Sequence, residues 1–154
     1  MVTVTALPLE QLPQAMDLVW RVFSTFDAPA YSKEGVEEFR KFIQTEAMKN
    51  KISKGEVSLF GAYWEGILAG IMAFNAWGHI HLLFVDARYH RRGIAKKLIE
   101  SVVRCSVDRG VQTITVNSSP YGVEAYRHMG FEETGSEQTR NGITFTPMKR
   151  ELTK

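Results

Sequence analysis

Residues Leu82 to Leu98 read LLFVDARYHRRGIAKKL, and the order of elements in this stretch decides the fold. Leu82 to Val85 end an apolar run suited to a strand. Arg91-Arg92-Gly93-Ile94-Ala95 makes a turn, and Ile94, Leu98, Val102 and Cys105 then recur at helical spacing up to the stop signal Gly110. A helix start leaves backbone N–H groups without partners and carries the positive end of the helix dipole, so it binds phosphate oxygens well. Gly93 and Ala95 are small where a diphosphate must come close. Between Arg88 and Arg104 lie Arg88, Arg91, Arg92, Lys96, Lys97 and Arg104 against only Glu100, a local excess that suits an anionic ligand.

Upstream, Val2, Val4 and Ala6 alternate with Thr3 and Thr5 as a short first strand. Leu12, Ala15, Val19, Val22, Phe23 and Phe26 predict one amphipathic helix, and Val36, Phe39, Ile43 and Ala47 a second. Glu56 to Trp64, Ile67 to Asn75 and His79 to Val85 are β-rich runs separated by Glu65-Gly66 and Ala76-Trp77-Gly78, the pattern of an antiparallel meander. Downstream of the central helix, Val111 to Val116 is a short strand, Ser119-Pro120 starts a fourth helix that ends at Gly130, and Phe131 onward pairs with Ile143 to Met148 across the hairpin turn Asn141-Gly142. The elements alternate as expected for a single mixed α/β (α+β) domain over residues 1–154, with about seven strands and about four helices.

Composition narrows the function classes. With 154 residues, 44% apolar and 23% charged, the chain can bury a real core and is not intrinsically disordered. Cys105 is the single cysteine, so no internal disulfide forms, and no Cys/His set has the spacing of a zinc site; no metal is expected. The apolar stretches Ile67 to Ala76 and His79 to Val85 are far below the roughly 20 residues of a membrane span. The N-terminal MVTVTALPLEQL lacks the marks of a signal peptide, so a cytoplasmic address is the expectation. A net charge of +2 and no basic stripe beyond the turn argue against nucleic acid as a partner.

Among phosphate sites, the dinucleotide fingerprint is absent because Gly93 stands alone, and G-x-x-x-x-G-K-[ST] occurs nowhere. His90-Arg91-Arg92-Gly93-Ile94-Ala95 resembles the Q/R-x-x-G-x-G/A signature of the GNAT superfamily of N-acetyltransferases, with His90 where the family usually has Gln or Arg. Asn117 followed by Ala125, Tyr126, Gly130 and Phe131 is similar to the family's second motif. The resemblance covers roughly Glu56 to Met148. It implies a mostly antiparallel sheet splayed between the fourth and fifth strands, with acetyl-CoA in the gap. Main-chain groups of Arg91, Arg92, Gly93, Ile94, Ala95 and Lys96 would hold its diphosphate. Main chain near Phe84 and Val85 would pair with the pantetheine arm, and Asn117 and Tyr121 would flank it.

The acceptor implied is an amine, and its chemistry sets the remaining needs. An amine of pKa about 10.4 is neutral roughly once in 2,500 molecules at pH 7, equivalent to about 4.6 kcal/mol, so a base or a proton wire helps. The resemblance puts Tyr126 at the general-acid position, where a phenol could protonate the leaving CoA sulfur. For the base, His79 and His81 lie on the fourth strand where related enzymes often carry a carboxylate, and a histidine titrates in the useful range; an exposed pair and a water chain are the alternatives. Cys105 falls on the apolar stripe of its helix and reads as packed.

Trp20, Phe23, Phe26 and Tyr31 read either as core or as the wall of an acceptor groove. Seven acids balance seven bases across residues 9–54, so charge does not choose the acceptor. With no well-placed Cys or Ser nucleophile, direct transfer of acetyl from acetyl-CoA to a primary amine of a small molecule or a peptide or protein is expected. A non-catalytic acyl-CoA sensor is the alternative. The acceptor, and the choice between monomer and homodimer, stay open.

Overall fold

A computed structural model describes residues 1–152. Its strands are β1 (Val2–Ala6), β2 (Ser58–Trp64), β3 (Ile67–Phe74), β4 (His79–Val85), β5 (Thr113–Ser118), β6 (Glu132–Glu133), β7 (Gln138–Arg140) and β8 (Ile143–Glu151). Its α-helices are α1 (Leu12–Val22), α2 (Lys33–Phe42), α3 (Thr45–Ser53), α4 (Ile94–Asp108) and α5 (Val123–His128). The sheet runs β1-β2-β3-β4-β5-β8-β6, with β7 beside β8, and every pair is antiparallel except β4 with β5.

Alternation along β3, shifted once by a bulge at Ala69 where Ala62↔Gly70 gives way to Tyr63↔Leu68, assigns its side chains to two cores. Leu68, Ile71 and Ala73 pack with Leu12, Val19 and Met48 beneath α1 and α3, while Ala69, Met72 and Phe74 pack with Ile94, Leu98 and Val102 of α4. Both faces are therefore covered, and β3 is buried almost throughout. No helix among the described residues is long and apolar enough to cross a membrane.

Three breaks within elements are absent from the sequence expectation. The first helix changes to π winding at Phe23–Asp27, followed by a 3₁₀ turn at Ala28–Ala30. The expected second helix is two, because Gln44 (ψ 135°) leaves the helical region and lets both Ile43 and Met48 reach the core. The strand after Phe131 is also two pieces. Residues 134–137 separate them opposite Pro147, whose carbonyl accepts from Thr134 N–H at 2.9 Å but which has no N–H to return on that side.

Candidate active site

β4 and β5 pair only through His79↔Thr115 and Ile80↔Val116. Beyond these, β4 stays with β3 and β5 stays with β8, so the strands splay and a cleft of about 1150 Å³ opens between them. Leu83, Phe84 and Val85 line one wall, Asn117, Ser118 and Tyr121 the other, and Arg91, Gly93, Ile94, Ala95 and Lys96 reach it from the start of α4. Asp86 N–H donates to the Ala69 carbonyl of β3 at 2.8 Å; by ladder alternation the peptide groups of Leu83 and Val85 then face the open side. The Val85 carbonyl there accepts from His90 Nε2 at 2.8 Å. Phe84 contributes its ring, packed 5.8 Å from that of Phe39.

The turn before α4 leaves backbone amides open at the cleft. Arg91 (φ 65°) and Gly93 (φ 76°) both adopt the left-handed region, and a Cβ placed on Gly93 would meet no protein atom within 4 Å. The first intrahelical bond runs from Lys97 N–H to the Gly93 carbonyl, so helix geometry leaves the Ile94, Ala95 and Lys96 amides without backbone acceptors. One of the basic residues here is neutralised locally and another is held against a ring. Arg88 binds buried Asp86 at 3.0 Å, and the Arg92 guanidinium lies 4.8 Å from the Trp64 ring centroid. Asp86 also accepts from Arg88 N–H and lies 3.5 Å from Arg21 of α1, which fastens the turn to both β4 and α1. The Arg88 guanidinium holds its carboxyl below the usual carboxylate range.

Tyr126 lines the same cleft, 8% exposed, with its ring 5.2 Å from that of Phe131. Burial, and then the charge of Asp27, push its pKa up, so the phenol keeps its proton at neutral pH. Tyr121 is over half exposed and stacks on Phe26 at 4.8 Å; Phe26 in turn lies 5.3 Å from His90, joining the two walls. Asn117, next to last in β5, stands at the wall opposite Pro147 of β8.

The two histidines separate. His79 lies where β4 and β5 still pair, bonded to Thr115 Oγ1 at 2.7 Å, and is not among the cleft-lining residues. His81 does line the cleft. Its Nε2 is 3.2 Å from Asn75 Nδ2 and its ring 6.1 Å from Phe42. Desolvation by the packed strand surface, then His79 and Lys51, lower its pKa to about 4, although part of the residue stays exposed at the rim.

Asp27 is the residue that sequence reasoning missed. It is 7% exposed, lines the cleft and accepts from Ser119 Oγ at 2.8 Å. Burial raises its carboxyl from 3.8 to about 6, the Ser119 bond pulling the other way. Its proximity to Tyr126 and Tyr31 is recorded in their raised pKa values, and Tyr31 reaches about 12. A lone acid in a charge-balanced segment carries no signal of this placement; the π winding that turns it inward is likewise unmarked.

Comparison with known proteins agrees with this geometry. The GNAT acetyltransferase domain family matches residues 27–152. The chain is 36% identical over 56 residues to human N-acetyltransferase 8, a stretch covering 34% of this chain and 25% of that protein. The match spans about a quarter of the length of the curated relatives. Among solved structures, a GCN5-related N-acetyltransferase from Rhodopseudomonas palustris superposes with TM-score 0.84 at 19% identity, covering 97% of this chain and 95% of that one. PaiA N-acetyltransferase from Thermoplasma acidophilum, solved with coenzyme A, superposes with TM-score 0.81 at 18% identity, covering 98% and 99%. This chain belongs to the GNAT acetyltransferase family.

Proposed function

We propose that the protein transfers acetyl from acetyl-CoA directly to a primary amine. The observation that carries the reading is one cleft that runs from the unpaired amides of α4, past the open edge of β4, to a buried phenol and a buried carboxylate. The donor set fits the cofactor. Amides of Gly93 to Lys96, with Arg91 and Lys96 nearby, suit a diphosphate, and the outward peptide groups of Leu83 and the Val85 N–H, the Val85 carbonyl being engaged by His90, suit an amide-containing arm laid along β4 like an added strand. Phe84, Asn117 and Tyr121 bound that arm. The coenzyme A held by the Thermoplasma neighbour supports the same ligand here.

Tyr126 supplies the proton for the departing sulfur. A thiolate of pKa about 8.5, if it resembles cysteine, can leave unaided, but a phenol at hand stabilises it as charge develops. No covalent acetyl-enzyme is invoked. Cys105 packs partly buried on α4 outside the cleft lining, and the Ser119 hydroxyl bonds a carboxylate. The histidines serve less well as base: His79 lies off the cleft, and His81 is a weak base with Asn75 beside its Nε2.

The test measures free CoA thiol and product mass for a panel of primary amines, with wild type and Tyr126→Phe side by side. The wild type releases CoA in step with an acetylated amine. The variant keeps its fold and CoA affinity, and its turnover drops by the roughly 10²- to 10⁴-fold of a lost general acid. Bound acetyl-CoA that no amine can discharge would instead mark a sensor.

A further inference from the structure

The π-wound end of α1 delivers a buried carboxylate to the cleft with no cation to match it. Among the described residues, no Lys or Arg forms an ion pair with Asp27, and its one side-chain partner is the neutral Ser119 hydroxyl. Buried charges are ordinarily paired, so a buried acid facing a cavity without a partner points to a cation brought by the ligand. Phe26, Tyr31, Phe39 and Phe84, all half-buried, line the same cleft. Phe23 packs behind them, 3.9 Å from Phe39 and 5.2 Å from Tyr31 between ring centroids.

Resting on the acetyl-transfer reading, we propose that Asp27 receives the acceptor's ammonium and takes its proton, and that the acceptor is a compact primary monoamine with an aromatic or aliphatic body. One carboxylate among aromatic rings satisfies one cation, through charge and ring faces, and leaves the rest of the ligand in apolar contact. The other acid lining the cleft, Glu124, is already engaged by Arg127 at 2.5 Å. Further ammonium groups of a polyamine or an aminosugar would find no acid beside Asp27.

The groups facing Asp27 are Tyr31 from the turn after it, Tyr126 from α5 and the Ser119 hydroxyl before α5. The cleft's remaining charged or titratable groups include His81, His90, Arg91, Lys96 and His128. Desolvation and the Ser119 bond set its acidity, and a carboxyl near 6 is a better base than an ordinary aspartate. The same apolar surroundings lower an ammonium's pKa, so the two values converge.

The protons balance as follows. One passes from the ammonium to an Asp27 oxygen and frees the nitrogen lone pair. The N–C bond forms at the thioester carbonyl carbon, and the C–S bond breaks with its electron pair on sulfur. Tyr126 protonates the sulfur and recovers a second proton from nitrogen, while Asp27 returns its own to solvent. Neutralising Asp27 also removes the charge that holds Tyr126's proton most tightly after burial, so the base's action makes the acid a better donor.

Asp27→Asn keeps the side-chain shape and an oxygen for Ser119. With this variant, CoA affinity stays within about twofold of wild type. Affinity of 2-phenylethylamine for the protein–CoA complex, by calorimetry, falls at least tenfold, and kcat falls by roughly 10²- to 10⁴-fold. The wild-type kcat/KM for the amine rises through an acid limb near pH 6. That limb is absent in Asp27→Asn and moves up in Ser119→Ala, which removes a bond that favours the carboxylate; a purely structural Asp27 would leave it in place. Unchanged amine affinity and an unchanged limb in Asp27→Asn would overturn the assignment while leaving acetyl transfer intact. Spermidine preferred over 2-phenylethylamine would overturn the acceptor class. No CoA release by the wild type with any amine, despite bound CoA, would defeat the transfer reading and the proton role together.

Discussion

Raising the Asp27 carboxyl from 3.8 to about 6 costs the folded state stability as well as making a base. Below the unfolded value both states hold the proton and no penalty exists. Between 3.8 and about 6 the unfolded carboxyl ionises while the native one keeps its proton, so the penalty grows with pH and levels off above the folded value at ~3 kcal/mol as an upper bound. Asp27→Asn removes it. The variant is therefore expected to melt higher than wild type at pH 7.5, by roughly 5–10 °C for a chain of this size, with the gain gone below about pH 4. Paired melting curves across that range check this, and a variant that melts no higher at pH 7.5 contradicts a costly buried acid. At this scale the sequence was legible where a motif carried the residue, as with Tyr126 and Gly93. It was not legible for Asp27. His79 and His81 stand two apart on one strand, and only the β4–β5 pairing at His79, with the register shift at His81 between Ala73↔Leu82 and Phe74↔Ile80, tells which one meets the cleft.

The elements around the acceptor end depend on one close approach. Ser32 caps α2 by accepting from Gly35 N–H at 3.2 Å, while its own N–H donates to the Gly142 carbonyl at 3.1 Å. This fastens α2 to the turn between β7 and β8, where Asn141 and Gly142 both adopt positive φ as the Asn-Gly signal predicts. A Cβ on Gly35 would lie 2.1 Å from the Gly142 oxygen, a backbone atom that cannot swing aside. Gly35→Ala should therefore cost about 1–3 kcal/mol and loosen α2, and with it Phe39 in the acceptor wall. Denaturant melts together with the KM for the amine measure this; wild-type stability would mean that the turn is free to retreat. The hairpin turn could be read from two residues, but its contact with Gly35 joins positions far apart in sequence and has no local signature. The break between α2 and α3 was hidden for a related reason. No Gly or Pro marks it, and the apolar spacing runs through Gln44 without interruption.

For the whole molecule, the order of elements was legible because each carries its own period and punctuation, from the Val2–Ala6 alternation to Gly110 and Asn141-Gly142. The splay between β4 and β5 came only through the family resemblance, since a gap in a sheet is an absence of pairing that no strand's own sequence records. The parallel contact confined to two residue pairs now supplies its geometry. Of the six basic residues near the turn, Arg88 pairs with Asp86 and Arg92 lies over the Trp64 ring. On the proposed reading, the backbone of the turn is chiefly what would hold the diphosphate, and that proposal is the central one to test. CoA binding should be titrated by calorimetry against wild type and Gly93→Glu. The added side chain enters space free of protein atoms, so the fold survives with a backbone strain of about 1–2 kcal/mol. Its carboxylate occupies the place of the phosphate oxygens, and CoA affinity falls by roughly a hundredfold or more, ~2.7 kcal/mol. A correctly folded Gly93→Glu protein that binds CoA as tightly as wild type would contradict the account.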